Sequence, residues 1–181
     1  MLILGNLMSI ETDEKKIESN KTMYEYLKNQ FDEERKRFVQ LEDKSAKYLT
    51  LLSVVIPIFS GLLTQKGFIK INNCILNLLV ILIIVLILLS ISSAWIKILN
   101  SLKLAEGTRL PTDEQIFNLF KREKLNICYE TLSKTYQLAI IEQQKLNAKK
   151  YESINFAFKE IQFTGLCFGI LIILLAINNL G

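Results

Sequence analysis

The chain has 181 residues, of which half are apolar and 22% are charged, and its formal net charge is +4. This modest charge does not by itself indicate nucleic-acid binding, and the lack of any histidine removes the commonest general base and metal ligand. The three cysteines are far apart and form no CxxC pair, which argues against a disulfide framework and against a metal site.

The N-terminal part of the chain is polar and then becomes periodic. Residues 1–20 are predicted to form a flexible arm, disordered or loosely helical, because the segment "ETDEKKIESN" is charged and without period. The opening "MLILGNLM" lacks the basic start and the length of a signal peptide. Over 21–48, apolar residues recur at gaps of three, four and seven, which predicts a stalk helix. This pattern breaks once, where Glu34 and Arg35 take the expected apolar position.

Three apolar stretches are predicted to cross a membrane, over 49–64, 74–97 and 161–178. The second has no charge from Cys74 to Ile96 and meets the usual length of roughly 20 apolar residues. A soluble core helix of this kind would need a polar face or a much larger surrounding domain. The other two stretches are short, but each follows a helical pattern that can supply a missing turn.

The remaining segments connect these spans. Residues 65–73 are predicted to be a short turn, and 98–124 a connector that contains an amphipathic helix over 113–123. Near-heptad spacing over 125–160 predicts a second stalk helix that continues into the third span. The predicted fold class is an all-α membrane protein with three transmembrane helices and long helical cytoplasmic stalks.

Lysine and arginine are concentrated before the first span and between the second and third spans. The turn between the first two spans holds only Lys66 and Lys70. By the positive-inside rule, the N-terminus and the 97–160 region are expected in the cytoplasm and the C-terminus outside. The expected location is a bacterial inner membrane.

No catalytic motif, phosphate-binding glycine loop or nucleophile beside a base is found in the sequence. Carboxylates such as Glu42 and Asp43 lie within helical patterns, where a solvated face is the common explanation. The chain is therefore not expected to be an enzyme, and no catalytic residue, metal ligand or cofactor is assigned.

Polar and small residues share one face of the first span at gaps of three and four. This polar stripe comprises Asp43, Thr50, Ser53, Pro57, Ser60 and Thr64. One interpretation is that these residues pack against the other two spans, because small and hydroxylated residues let membrane helices approach closely. The other is that they line a water-filled pore formed by several copies of the chain, with carboxylates at its cytoplasmic mouth.

Two basic clusters lie beside aromatic residues on the stalks. Their candidate ligand-binding residues are Arg35, Arg37, Lys145, Lys149 and Lys150. Such clusters could hold a phosphorylated ligand or anionic lipid headgroups. Solvated helix faces and positive-inside flanks produce the same pattern.

The amphipathic stalks and thin spans favour a homo-oligomeric bundle, since a single copy leaves much apolar surface uncovered. An intrachain hairpin is the alternative. The lipid bilayer is the other expected partner, and duplex nucleic acid is not expected.

The segments "EDKSAKYLTLLSVVIPIFSGLL" and "LPTDEQIFNLF", with the long final helix, resemble small membrane effectors of bacterial anti-phage signalling systems. These are the effectors of Hailong, Pycsar and SLATT-type CBASS operons, and the resemblance covers about 24–178. It implies an effector that opens the inner membrane in response to a nucleotide or oligonucleotide signal made by a partner enzyme. In the Hailong type, the effector is an oligomeric ion channel. A membrane-anchored adaptor or scaffold that recruits a cytosolic partner is the alternative function.

Overall fold

The computed structural model describes residues 2–64, 74–102, 110 and 114–180, and the described side chains are those of 14–61, 75–102, 110, 114 and 116–177. These residues form four helices: α1 (Leu2–Thr64), α2 (Cys74–Leu102), α3 (Glu114–Arg122) and α4 (Leu125–Leu180). Within these ranges there is no strand. The predicted all-α fold class is therefore confirmed for the described part of the chain.

Helix α1 is continuous over 63 residues and passes through Pro57. It includes the arm over 1–20 that was expected to be flexible, which is helical from Leu2. At the end of this arm, the Asn20 amide donates to the Asn126 side chain at 2.8 Å. That contact spans 106 positions of sequence, so local composition could not reveal it.

Helix α4 has 56 residues and covers both the second predicted stalk and the third predicted span. Helix α2 continues to Leu102, five residues beyond the predicted end of its span. Helix α3 lies within the amphipathic helix predicted over 113–123. The predicted turn over 65–73 lies outside the described residues, as do 103–109 and 111–113 of the predicted connector.

The chain divides into two compact units. The stalk unit comprises Met1–Val39 and Ala105–Ala148, and the apolar unit comprises Gln40–Leu104 and Lys149–Gly181. The stalk unit thus contains α3 and the first parts of α1 and α4. The apolar unit contains α2 and the remainder of the two long helices.

In the stalk unit, α1 and α4 run parallel and pack through aromatic and aliphatic side chains. Phe31, Ala139 and Ile140 form its buried cluster, with Leu27 and Tyr136 packed against it. The Phe31 and Tyr136 rings meet edge to face, with their centroids 5.7 Å apart. Edge-to-face pairs of this kind add roughly 0.5–1.5 kcal/mol beyond the burial of their surface.

In the apolar unit, α2 runs antiparallel to α1 and α4. The Ser45 and Ser101 hydroxyls hydrogen-bond at 2.8 Å, and the Lys97 ammonium lies 4.9 Å from the centroid of the Phe156 ring. The buried core of this unit draws on all three helices: Leu52, Phe59, Val80, Ile87, Ile91, Ala94, Ile98, Ala157, Cys167 and Leu171. Such a core explains why these three segments associate.

Two helices of the described part are long and apolar enough to cross a membrane, α2 over Ile75–Leu102 and α4 over Leu125–Ile177. Of the three spans predicted from sequence, two therefore fall on helices with the length and composition to cross a membrane. Helix α1 is not one of these two, and Lys44 and Lys47 closely precede its apolar stretch.

Candidate functional site

The polar stripe of α1 lies on an exposed side of the apolar unit. Thr50, Ser53 and Ser60 are exposed, whereas Leu52 and Phe59 of the same helix are only 2% and 4% exposed. At 3.6 residues per turn, the centre of the stripe is about 130° around the helix from these two buried residues. The polar stripe therefore faces away from the contact that α1 makes with α2 and α4.

Each described hydroxyl of the polar stripe is bonded to its own helix. Thr50 Oγ1, Ser53 Oγ and Ser60 Oγ donate to the carbonyls of Ala46, Leu49 and Ile56 at 3.0, 2.8 and 2.9 Å. This bond uses the single hydroxyl proton and leaves lone pairs on the oxygen. The stripe thus presents acceptor oxygens, which suit water or a cation.

Pro57 adds to this acceptor character. Because proline has no N–H, it cannot donate to the carbonyl of Ser53 one turn earlier. Ser53 and Pro57 are both exposed, as is Asp43 on the same face. The side chain of Thr64, the last member of the stripe, lies outside the described side chains.

This exposure bears on the two interpretations of the polar stripe. Packing of the stripe on α2 and α4 would bury its residues within one protomer, and Thr50, Ser53, Pro57 and Ser60 are exposed instead. The exposed stripe is open to water, to lipid or to another copy of the chain. Its role as a pore lining stays a prediction.

The break in the heptad pattern at Glu34 coincides with a polar layer of the stalk unit. Asn147, which is 2% exposed, donates its amide to the Glu34 carboxylate at 2.6 Å and to the Glu34 carbonyl at 3.0 Å. Gln143 Nε2 in turn donates to Asn147 Oδ1 at 3.4 Å. Glu34 and Gln143 stand at positions where the spacing calls for apolar residues, but Asn147 lies beside such a position, at which the spacing places Leu146. The spacing therefore could not reveal this layer.

The candidate basic residues are divided between the two units. In the stalk unit, the Arg35 guanidinium lies 6.0 Å from the centroid of the Phe31 ring, and Arg37 is 3.9 Å from the Glu34 carboxylate. Arg35, Arg37 and Lys145 are exposed, as is Lys149 in the apolar unit. These four remain accessible to a ligand.

Lys150 is the exception among the basic candidates. It is 6% exposed, and its ammonium lies 2.7 Å from the Glu42 carboxylate, which is 41% exposed. A cation held in this way is a structural partner of α1, and it is the least accessible of the five candidates. The spacing of the basic cluster could not reveal which lysine is buried.

Three tyrosines gather in the stalk unit. Tyr24 of α1 lies with its ring centroid 5.6 Å from the centroids of both Tyr129 and Tyr136. Burial raises the pKa of the Tyr136 hydroxyl, and the neighbouring Tyr24 adds to this shift. Tyr136 therefore stays neutral through the physiological range and serves as a packed hydrogen-bonding side chain.

Glu160 is a carboxylate that sequence analysis assigned to the stalk. The structure places it against α2, where Ser90 Oγ lies 2.6 Å from the carboxylate and 2.9 Å from the carbonyl of Glu160. Ser90 is within the apolar stretch predicted to cross the membrane. Ionisable residues at such positions are rare and commonly functional, and only the tertiary contact identifies this one.

The apolar unit also contains an apolar groove between α1, α2 and α4. Its volume is about 320 Å³, and it is lined by residues that include Leu52, Phe59, Ile87, Thr164, Gly165 and Phe168. The groove lies on a different side of α1 from the polar stripe.

No family model, curated protein or solved structure matches this chain.

Proposed function

We propose that this chain is a membrane protein with three spans, formed by α2 and by the C-terminal parts of α1 and α4. Helices α2 and α4 each contain a strongly apolar stretch, and only 22% of each stretch is buried. Large exposed side chains such as Ile75, Leu78 and Leu89 are 72%, 69% and 62% accessible. Soluble proteins seldom expose apolar surface continuously in this way, so a bilayer is the natural surrounding for α2.

The third span is supported by packing within the apolar unit. Leu52 and Phe59 of α1 are buried in the same core as Val80, Ile87 and Leu171 of the two apolar helices. If α2 and α4 lie in the hydrocarbon, α1 is held at the same depth. Packing on α2 and α4 then compensates for the shortness of the apolar stretch of α1.

Copies of this chain are proposed to assemble into an ion channel lined by the polar stripe of α1. The observation that carries this proposal is the exposure of Thr50, Ser53 and Ser60 on the side of α1 away from its buried face. Such a polar face on the outside of a protomer can meet water if several copies surround a common central axis and turn this face toward it. Acceptor oxygens and the Asp43 carboxylate on that face favour cations.

The channel is proposed to act as an effector of an anti-phage system in a bacterial inner membrane, with its N-terminus in the cytoplasm. The resemblance to Hailong, Pycsar and SLATT-type CBASS effectors supports this role. A nucleotide or oligonucleotide signal would bind the cytoplasmic helices, for which Arg35, Arg37, Lys145 and Lys149 are accessible cations. Opening of the channel would depolarise the membrane.

The decisive experiment is recording from planar bilayers that contain the purified protein. Ser53→Leu is expected to reduce single-channel conductance, because it replaces a pore-facing hydroxyl with a larger apolar side chain. Ser92→Leu is the matched control, since Ser92 is also exposed and also donates to its own helix, at 2.8 Å from the Leu88 carbonyl. The Ser92→Leu channel is expected to conduct like the unmodified one.

Two results would count against the channel. The first is the absence of conductance from the unmodified protein across a panel of cyclic nucleotides and oligonucleotides. The second is an equal effect of both substitutions, which would indicate general damage to folding.

A membrane-anchored adaptor is the second candidate function, and α3 favours it. Phe117 and Phe120 of this short helix are 65% and 53% exposed, beside the basic residues Lys121 and Arg122. An adaptor would recruit a cytosolic protein through such a surface and would leave the membrane sealed. Expression of the chain alone separates the two functions, because only the channel predicts growth arrest with loss of membrane potential.

A further inference from the structure

The apolar groove is a feature that the proposed channel does not use. It opens between α1 and α4 and is closed at its base by Ile87 and Ile91 of α2. All of its lining residues are uncharged, so a nucleotide or a lipid headgroup finds no counter-charge in it. Apolar cavities of this kind are not favourably filled by water.

One hydroxyl in the lining has no partner. Thr164 is 8% exposed, and its Oγ1 makes no hydrogen bond within the described part of the chain. The acceptor that it would ordinarily use is the carbonyl one turn earlier, as Thr50, Ser53 and Ser60 do. That carbonyl belongs to Glu160, and Ser90 Oγ already lies 2.9 Å from it and 2.6 Å from the carboxylate of the same residue.

An unsatisfied buried hydroxyl is costly, and a ligand acceptor would relieve that cost. Because the rest of the lining is apolar, a fitting ligand is a hydrocarbon with a single neutral acceptor. A volume of about 320 Å³ is at the lower end of ligand pockets, roughly 300–1,000 Å³, so it admits a chain and not a whole lipid.

The groove is also open on its α4 side. Gly165 lines it, and no atom lies within 4 Å of the position that a Cβ would take at this residue. A chain can therefore enter beside Gly165 from the hydrocarbon that surrounds the apolar unit.

We propose that the groove binds one acyl chain of a phospholipid, and that Thr164 donates a hydrogen bond to the ester carbonyl at the head of that chain. This proposal rests on the membrane insertion proposed above, and it is independent of channel activity. The groove lies among the apolar stretches of α1, α2 and α4, where acyl chains are the most abundant apolar molecules.

The site can be tested with a phospholipid that carries a photoactivatable diazirine on its acyl chain. The protein is reconstituted in vesicles of phosphatidylcholine with this probe, irradiated, and mapped by mass spectrometry. Labelling is expected at the buried lining residues Leu52, Phe59 and Thr164, in addition to the exposed side chains that face lipid. Gly165→Leu is expected to remove the labelling of these three residues by filling the groove.

Gly169→Leu is the matched control. Gly169 is exposed and likewise has no atom within 4 Å of a Cβ position, but it does not line the groove. Its substitution is expected to leave the labelling unchanged. Equal loss in both variants, or equal labelling in both, would overturn the site.

The hydrogen bond is tested separately with an ether-linked probe, which lacks the ester carbonyl. The unmodified protein is expected to prefer the ester lipid by about 3–10-fold, the worth of one neutral hydrogen bond. Thr164→Val, which has the same shape without the hydroxyl, is expected to lose that preference. An unchanged preference in Thr164→Val would contradict the role of Thr164.

The labelling of α2 separates failure of this site from failure of membrane insertion. Exposed Leu82 and Leu89 should react with the probe whenever the helices are in the bilayer. Labelling of α2 without labelling of the groove refutes the site alone, whereas no labelling at all refutes insertion. Cross-links between protein copies at 161–168 would show that a second copy fills the groove instead.

Discussion

Three carboxylates of the long helices each have a polar partner on a neighbouring helix. Glu34 accepts from Asn147, Glu42 pairs with Lys150, and Glu160 contacts Ser90. Burying a polar group is unfavourable unless a partner compensates for its lost hydration. Periodicity showed Glu34 only as a break in the pattern and gave no partner for any of the three, because each partner is on another helix.

The Lys150–Glu42 pair is unequally exposed, and this inequality makes it testable. Glu42→Ala removes an acceptor, at 2.7 Å, of an ammonium that is 6% exposed, and we expect a loss of about 1–3 kcal/mol in unfolding free energy. Lys150→Met should cost less, because the Glu42 carboxylate is 41% exposed and can turn to water. Thermal unfolding in detergent shows which of the two variants is the less stable.

The double variant with Glu42→Ala and Lys150→Met provides the control for that pair. It should be no less stable than Glu42→Ala alone, since the buried charge has gone. If the loss of unfolding free energy in the double variant equals the sum of the two single losses, the two side chains do not interact directly.

At the scale of elements, the parallel contact of α1 with α4 in the stalk unit combines an apolar cluster with a polar layer. Phe31 and Ile140 belong to the cluster, and Glu34 with Asn147 belongs to the layer. In coiled coils, a polar residue in the core fixes register at a cost in stability. The Glu34–Asn147 contact is suited to the same role here.

Replacement of Glu34, Gln143 and Asn147 by leucine tests this role, since Gln143 is 1% exposed and donates to Asn147 in the same layer. The triple variant is expected to raise the midpoint of thermal unfolding, because the polar layer becomes apolar. It should also make the α1–α4 pairing less uniform, which chemical cross-linking with mass spectrometry can follow. A lowered midpoint in the triple variant would contradict the expectation.

Asn147→Leu alone should behave in the opposite way. It leaves the Glu34 carboxylate, whose side chain is 14% exposed, without the Asn147 amide. We expect a loss of about 1–3 kcal/mol in unfolding free energy. A single variant as stable as the triple variant would show that the layer does not act as a unit.

At the scale of the whole molecule, a protomer leaves two kinds of surface exposed. The apolar face of α2 suits lipid, whereas the polar stripe of α1 suits water. In a bilayer, helices associate through packing and hydrogen bonds and gain little from the hydrophobic effect. A polar face that no other helix of the protomer covers is therefore a reason for several copies to meet.

The protein is accordingly expected to purify as an oligomer. Mass photometry or light scattering with correction for detergent should give a mass of several times 20.9 kDa. A single species of 20.9 kDa in several mild detergents would contradict the shared pore, because one copy cannot surround it. Ser53→Leu should keep the oligomeric mass if Ser53 faces water and not a neighbouring subunit.

Composition and periodicity by themselves determined much of the secondary structure. The uncharged stretch of α2 and the absence of proline after Pro111 predict two of the long helices, since backbone hydrogen bonds in such segments are satisfied locally. The spacing of Thr50, Ser53, Pro57 and Ser60 likewise places them on one face. These properties depend on near neighbours in the chain.

The tertiary structure alone decided where each face points. Exposure of the polar stripe, burial of Lys150, the contact of Glu160 with Ser90 and the groove at Thr164 all depend on how α1, α2 and α4 pack in the apolar unit. Residues in these contacts are separated by tens of positions in the chain. The helical period shows which face of a helix is polar and which is apolar. Only the packing of one helix on another determines which of these faces is buried.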